Sequence, residues 1–278
     1  MTAVPMTEAQ LLAAVTPPFA DRLRLRAAWT GLFALTAFCA WFVDLSPARL
    51  WEGFGKLGRL VWLMLPPDPA GFLGEFAAAL AETLAMALAA TLLAAALAFP
   101  LSLLGARNLA PHPGLRFGVR RLFDLLRGVE ELIWAMIFVR VVGLGPMAGV
   151  IALTLSETGM LSKLFAETFE QAEQRMVDSL RAAGANKAEV VRFAVLPRAL
   201  PVMASHVLYF LESNVRSSTI LGIVGAGGVG FQLADRIRVN EWRQVGCLIV
   251  LILLAVATID WISGRLRRRL IEGGKSAA

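Results

Sequence analysis

Five polar residues recur at helical spacing inside one apolar run. Ser205, Tyr209, Glu212, Arg216 and Thr219 stand four, three, four and three residues apart, so a helix sets them along one face. The run that carries them, residues 201–224, is long and apolar enough to cross a bilayer. Ionisable groups inside such a segment are costly and mark function by default. Arg216 beside the hydroxyls of Ser217 and Ser218 offers forked donors suited to an oxyanion. It also stands four residues after Glu212, so two roles are open: a ligand for an oxyanion, or an ion-pair partner that braces the helix or an oligomer interface. At 1.5 Å per residue Arg216 lies about 24 Å along the helix, toward its far end. Tyr209, Asn214 and, from a different apolar run, Glu157 complete the set of path-lining candidates. Arg127 is expected to pair with Glu130 or Glu131.

Other chemistries fail on context. Gly225-Ala-Gly-Gly-Val-Gly230 fits the spacing of a dinucleotide-binding turn, but no strand–helix–strand unit surrounds it. Val250 stands where the ribose-binding acid belongs, so the glycines are read as a flexible turn that permits close helix contact. Gly274-Lys275-Ser276 resembles the end of a phosphate-binding loop, but Arg269 occupies the position of its first glycine. Cys39 and Cys247 lie in apolar runs without metal or disulfide spacing, and His112 and His206 lack ligand-like neighbours. No catalytic residue, metal or nucleic-acid partner is expected in this chain.

Membrane helices must position these groups. Of the 278 residues, 57% are hydrophobic and 17% charged, and the mean hydropathy is +0.65; a soluble domain carries about one quarter charged residues. Six runs reach membrane-helix length: 27–43, 76–104, 122–142, 147–165, 201–224 and 245–262. Residues 50–65 are apolar but short, carry Lys56 and Arg59, and end at Pro66 and Pro67, as an interfacial helix would. The first run follows a polar stretch and lacks a small-residue cleavage site, so it is read as a retained helix rather than a signal peptide. With both termini on one side, that side carries eighteen of the Lys and Arg residues and the other six. Positive charge marks the cytoplasmic face, so both termini are expected to be cytoplasmic.

The longest polar stretch, residues 166–198, then also faces the cytoplasm. Within it Asp178-Ser-Leu-Arg-Ala-Ala-Gly184 precedes, by nine residues, Ala194-Val-Leu-Pro197. This spacing predicts a helix, a turn at Gly184, a second helix capped by Asn186, and a stop at Pro197. Ala182, Ala183 and Gly184 are small enough to let a partner approach closely.

The loop resembles the ATPase-coupling loop of ABC importer permeases. Asp178 stands for the family's Glu, Ser179 and Leu180 for its Ala pair, and Gly184 and Leu196-Pro197 match directly. A more specific resemblance, to phosphonate-type permeases, is carried by Asn214-Val-Arg-Ser-Ser-Thr-Ile-Leu-Gly-Ile-Val-Gly-Ala-Gly-Gly-Val-Gly-Phe231. It is joined by Arg107-Asn-Leu-Ala-Pro111, Gly143-Leu-Gly-Pro146 and Gly159-Met-Leu-Ser-Lys-Leu-Phe-Ala-Glu167. Two departures stand out: Glu130-Glu131 where the family has Pro before Glu, and Glu157 where it carries an imidazole.

The resemblance implies an all-α, polytopic protein of six transmembrane helices with a type I ABC importer (MetI-like) core. Its parts would be a cytoplasmic segment 1–26, a first helix and interfacial segment 27–75, the core 76–265 with its loop 166–198, and a basic cytoplasmic tail 266–278. It implies a permease of the bacterial inner membrane, moving phosphonate or a related phosphorus oxyanion. The partners implied are a second permease copy, two ATPase subunits that bind ATP and Mg in place of this chain, a periplasmic or lipid-anchored binding protein, and membrane lipids. The rival readings are a permease for another small solute and an ion-coupled secondary transporter using Glu157 and Glu212. A membrane enzyme acting on a phosphorylated lipid would need an acid/base or metal cluster that the sequence lacks.

Overall fold

The protein is described by a computed structural model over residues 19–171 and 174–276; the first eighteen residues of the expected amino-terminal segment lie outside that description. Every regular element among these residues is helical. The chain divides into two compact units after Trp62.

The first unit holds α1, Phe19–Phe42, and most of α2, Pro47–Leu63. Between them Asp44 takes a positive φ and pairs with Arg49. Within α2, Trp51, Phe54 and Trp62 are exposed and share the helix with Lys56 and Arg59, the mixture expected of an interfacial helix.

The second unit is a bundle around α3, Leu73–Gly105. Its buried positions are mostly small and recur at helical spacing: Ala79, Thr83, Ala87, Ala90, Ala94, Ala98 and Ser102. Small side chains let neighbouring backbones close in, which is how helices gain packing energy where lipid removes the hydrophobic drive between them. Thr83, Thr91 and Ser102 return their hydroxyls to carbonyls three or four residues back, so no donor is stranded. Along this stripe runs α6, Pro146–Glu170, and beside both lies α9, Leu196–Leu221. The last helix, α11, Trp242–Ser276, packs on α9.

Among the described residues four helical stretches are long and apolar enough to cross a membrane: Leu23–Phe42, Leu73–Gly105, Ala188–Ala226 and Trp242–Arg269. The other two expected spans take different forms. Residues 122–142 are not one helix: α4, Pro113–Gly128, and α5, Glu131–Val142, are separated by extended Val129 and Glu130. The 12 residues of α5 reach about 18 Å, short of the ~30 Å hydrocarbon layer. Helix α6 is long enough but carries Glu157, Lys163 and Glu167, and it tolerates them because protein surrounds much of it.

The stop expected at Pro197 is also absent. A short helix α8, Lys187–Val190, runs through a π turn, Val191–Val195, into α9. The π turn bonds Leu196 N to Val191 O, and this wider ring accommodates a proline that cannot donate to its own helix. At the other end a second π turn, Gly222–Ala226, leads to α10, Gly228–Arg238. Between α6 and α8 stands α7, Gln174–Ala182. The segment expected as a basic tail continues α11 as helix to Ser276.

Candidate functional site

The polar face of α9 leads into an ionic chain with α11. Arg216 lies 3.4 Å from Glu212 Oε1 and 3.6 Å from Asp260 Oδ1. The other oxygen of Glu212 is 3.3 Å from Arg267, whose guanidinium sits 6.0 Å from the ring centre of Tyr209. Two carboxylates and two guanidinium groups therefore alternate across the two helices. Arg216 is thus ion-paired to a carboxylate on each helix, and its side chain remains 47% exposed. Asp260 and Arg267 were not among the sequence candidates. They sit on another helix, and only their place in an apolar run or at its edge hinted at them.

Asn214, Ser217 and Ser218 turn away from that chain. Asn214 Nδ2 donates to Thr91 Oγ1 at 2.9 Å, tying α9 to α3, and both residues are buried. Ser218 is buried too, with its hydroxyl unpaired. Ser217 stands beside Glu131, and Glu157 lies near enough to Glu131 for their charges to interact. Glu157 is 8% exposed and its Oε2 has no hydrogen-bond partner. The sequence candidates thus form two groups, Tyr209–Glu212–Arg216 on one side of α9 and Asn214–Ser217–Ser218 with Glu157 on another. Thr91→Val is expected to lower stability by about 1–3 kcal/mol, because it strands the buried Asn214 donor; a thermal midpoint in detergent equal to wild type would refute this. The expected Arg127 pair is corrected: Arg127 binds Asp124 at 3.0 Å on its own helix turn, whereas Glu130 and Glu131 lie past the break after Gly128.

The glycine cluster forms an elbow. Gly225, Gly227 and Gly228 all take positive φ, which L side chains resist. The backbone thereby reverses into α10, whose first amides point at α3: Gly228 N donates to Glu82 Oε1 at 3.1 Å and Val229 N to Thr83 Oγ1 at 2.8 Å. A carboxylate at a helix N-terminus is favoured by the exposed amides and the helix dipole. Gly145 N closes the elbow on Gly225 O at 3.0 Å.

The loop between α6 and α9 is built as a compact hairpin. Ala185 N bonds Leu180 O and Gly184 N bonds Arg181 O, with Gly184 at φ +85°, a Schellman ending for α7. Asn186 and Glu189 then cap α8 reciprocally, at 3.0 and 2.7 Å. Val177 and Val190 are buried and Leu180 packs beside them, in a cluster with Phe165 and Phe169 of α6. Asp178, Ala182, Ala183 and Gly184 face outward, leaving a face of small residues available to a partner. Leu196 and Pro197 fall in the first turn of α9. At the same end Glu170 gathers Arg120 at 2.8 Å, Arg116 at 3.8 Å and the amide of Arg107, so α4 and the α3 terminus are tied to α6. His112 accepts from Gly114 N at 3.1 Å and caps α4.

Several helices of membrane-crossing length, with an outward-facing helical loop at one end, define a polytopic membrane protein. The chain belongs to the family described as binding-protein-dependent transport system inner membrane component, whose model matches residues 98–272. It is 40% identical over 239 residues to the phosphite transport system permease protein PtxC of Stutzerimonas stutzeri, covering 85% of this chain and 86% of that one. It is 37% identical over 266 residues to HtxC of the same organism, named as a candidate phosphite transport system permease protein, covering 95% and 94%. A solved chain of the inward-facing MetNI methionine ABC transporter is 22% identical with a TM-score of 0.63, covering 72% of this chain and 97% of that one. That likeness is one of fold, the type I importer permease architecture.

Proposed function

We propose that this chain is the permease of an ATP-driven importer that carries phosphonate, phosphite or a related phosphorus oxyanion across the bacterial inner membrane. The observation that carries the reading is the likeness to permeases named for phosphite transport, which extends over almost the whole chain. In this reading both termini and the loop with Asp178 and Gly184 are cytoplasmic, in accord with the distribution of Lys and Arg. Two copies form the path. Two ATPase subunits, which bind the ATP and Mg, dock on the outward-facing residues of the loop. A binding protein delivers cargo at the opposite, outer face near the glycine elbow. ATP-driven closure of the ATPase pair favours one arrangement of the helices and hydrolysis the other; that differential affinity drives the alternation. Arg216 serves by holding α9 to α11 through Glu212 and Asp260, so the geometry of the path depends on it.

The test is deletion of the gene in its host, with growth scored on phosphate, methylphosphonate or phosphite as sole phosphorus source. Loss on methylphosphonate or phosphite but not on phosphate, restored by the wild-type gene, is the expected result. Arg216→Ala is expected to assemble normally yet fail to restore growth. Growth unaffected by deletion on every source would overturn the cargo, and normal uptake by Arg216→Ala would reduce the residue to a bystander.

A further inference from the structure

The end of the bundle bearing Glu170 holds a cleft between α4 and α6 with a cavity volume of about 290 Å³. Its lining includes Arg120, Arg121, Arg127 and Lys163, with Asp124 as the one carboxylate and Phe123 among the apolar residues. Four cations against one acid is an imbalance that the close contacts do not remove. Asp124 is shared, ion-paired with Arg121 and Arg127 at 3.0 Å each through a single amino group of either guanidinium. Lys163 has only a loose pair with Glu167, at 4.0 Å. Arg120 is anchored by Gly105 O and Glu170, so its charge is fixed in place. Phe123 is itself locked: its ring fills the space where Gly105 lacks a side chain. The cleft thus sets the forked donors of Arg121 and Arg127 beside a wall fixed by Phe123 and Arg120, an arrangement that suits an oxyanion. Helix α4 also exposes Phe117 and Leu125 beside its arginines, which sets it along a membrane surface at headgroup depth.

We propose that this cleft is a binding site for a phosphate group, held by Arg121, Arg127 and Lys163 in the field of Arg120. That it lies on the cytoplasmic side rests on the orientation proposed above. There the group has two sources, a soluble phosphorus oxyanion or the head of an anionic phospholipid.

The full-length chain in lipid nanodiscs, without ATPase or binding protein, tests the site. In phosphatidylcholine discs, radiolabelled inorganic phosphate is expected to bind saturably. The Arg121→Gln/Lys163→Gln double variant weakens that binding by about tenfold or more, as loss of charge-assisted contacts requires, whereas Arg121→Lys, which keeps the charge but loses the fork, falls between the two. Adding phosphatidylglycerol to the disc distinguishes the sources: displacement of the label identifies a lipid headgroup as occupant, and undiminished binding identifies a soluble oxyanion. The proposal is overturned if folded double variant and wild type hold phosphate and phosphatidylglycerol equally, or if wild type holds neither. Should the double variant fail to fold, Lys163→Gln alone is judged by the same criterion. Because the assay uses neither growth nor uptake, its failure would leave the cargo reading standing, and a failed growth test would leave this site standing.

Discussion

Gly230→Ala yields a permease that neither accumulates in the membrane nor transports. A methyl at Gly230 would run into the carbonyl oxygen of Thr219, with the Gly222 Cα 3.0 Å away. The reciprocal change fares no better: a methyl at Gly222 would sit 2.8 Å from both the Gly230 Cα and the Phe231 N. All of these obstacles are backbone atoms, so no rotamer change relieves them. Overpacking commonly costs about 1–3 kcal/mol when side chains can shift; here α9 and α10 must separate, which carries the cost to the upper end or beyond. Separation would also pull Val229 N off Thr83 and Gly228 N off Glu82, stranding amides inside the bundle. The measurement is membrane abundance and thermal midpoint beside Gly118→Ala, where nothing lies within 4 Å of an added methyl. Equal behaviour of the two variants would show that the elbow has slack that its geometry denies.

Gly184→Glu is expected to abolish ATP-driven uptake while the chain still inserts. An added Cβ at Gly184 meets nothing within 4 Å, so the defect is conformational: φ is +85°, and an L residue there is strained by about 1–2 kcal/mol. Relief of that strain unwinds the Schellman turn and shifts the exposed face of α7 from α8, beneath which Val177 and Val190 are packed. The glutamate also places a charge and bulk on the small-residue face proposed to receive the ATPase. Gly184→Asn separates the two causes, because asparagine tolerates the left-handed region; it should retain much of the activity. Co-purification of the ATPase and uptake both unchanged in Gly184→Glu would remove this loop from the coupling route.

The parts of this architecture that were legible from residues are those governed by short-range chemistry. Gly184, the Asn186 cap and the Gly225–Gly230 turn each depend on the conformational preference of one or two residues, and each stands where the sequence puts it. The i, i+4 pairing of Glu212 with Arg216 is local in the same sense. The break at Val129 and Glu130 carries no proline, and the polar residues around it, Arg127, Gly128, Glu130 and Glu131, read equally as charges inside one span or as the end of a helix. Pro197 misled in the opposite direction, because the π turn that absorbs it leaves no mark in residue type. The partners contributed by distant segments were beyond local reading altogether: Glu82 is 146 residues from Gly228, and Thr91 is 123 from Asn214. Only tertiary packing brings them together.

The uninterrupted course of the backbone past Pro197 has a mechanical meaning. Residues Ala188–Ala226 form a stretch of 39 residues that is helical up to Gly225, whose φ of 102° breaks it; the rod is about 55 Å long if straight. A tilt of about 5° about one end of such a rod displaces the other by about 5 Å, close to the rise of one helical turn. A small rotation imposed beside α8 therefore arrives at the glycine elbow amplified into a sideways stroke of about 5 Å. With no coil residue between Ala188 and Val224 to act as a clutch, the two ends of that rod keep time with each other.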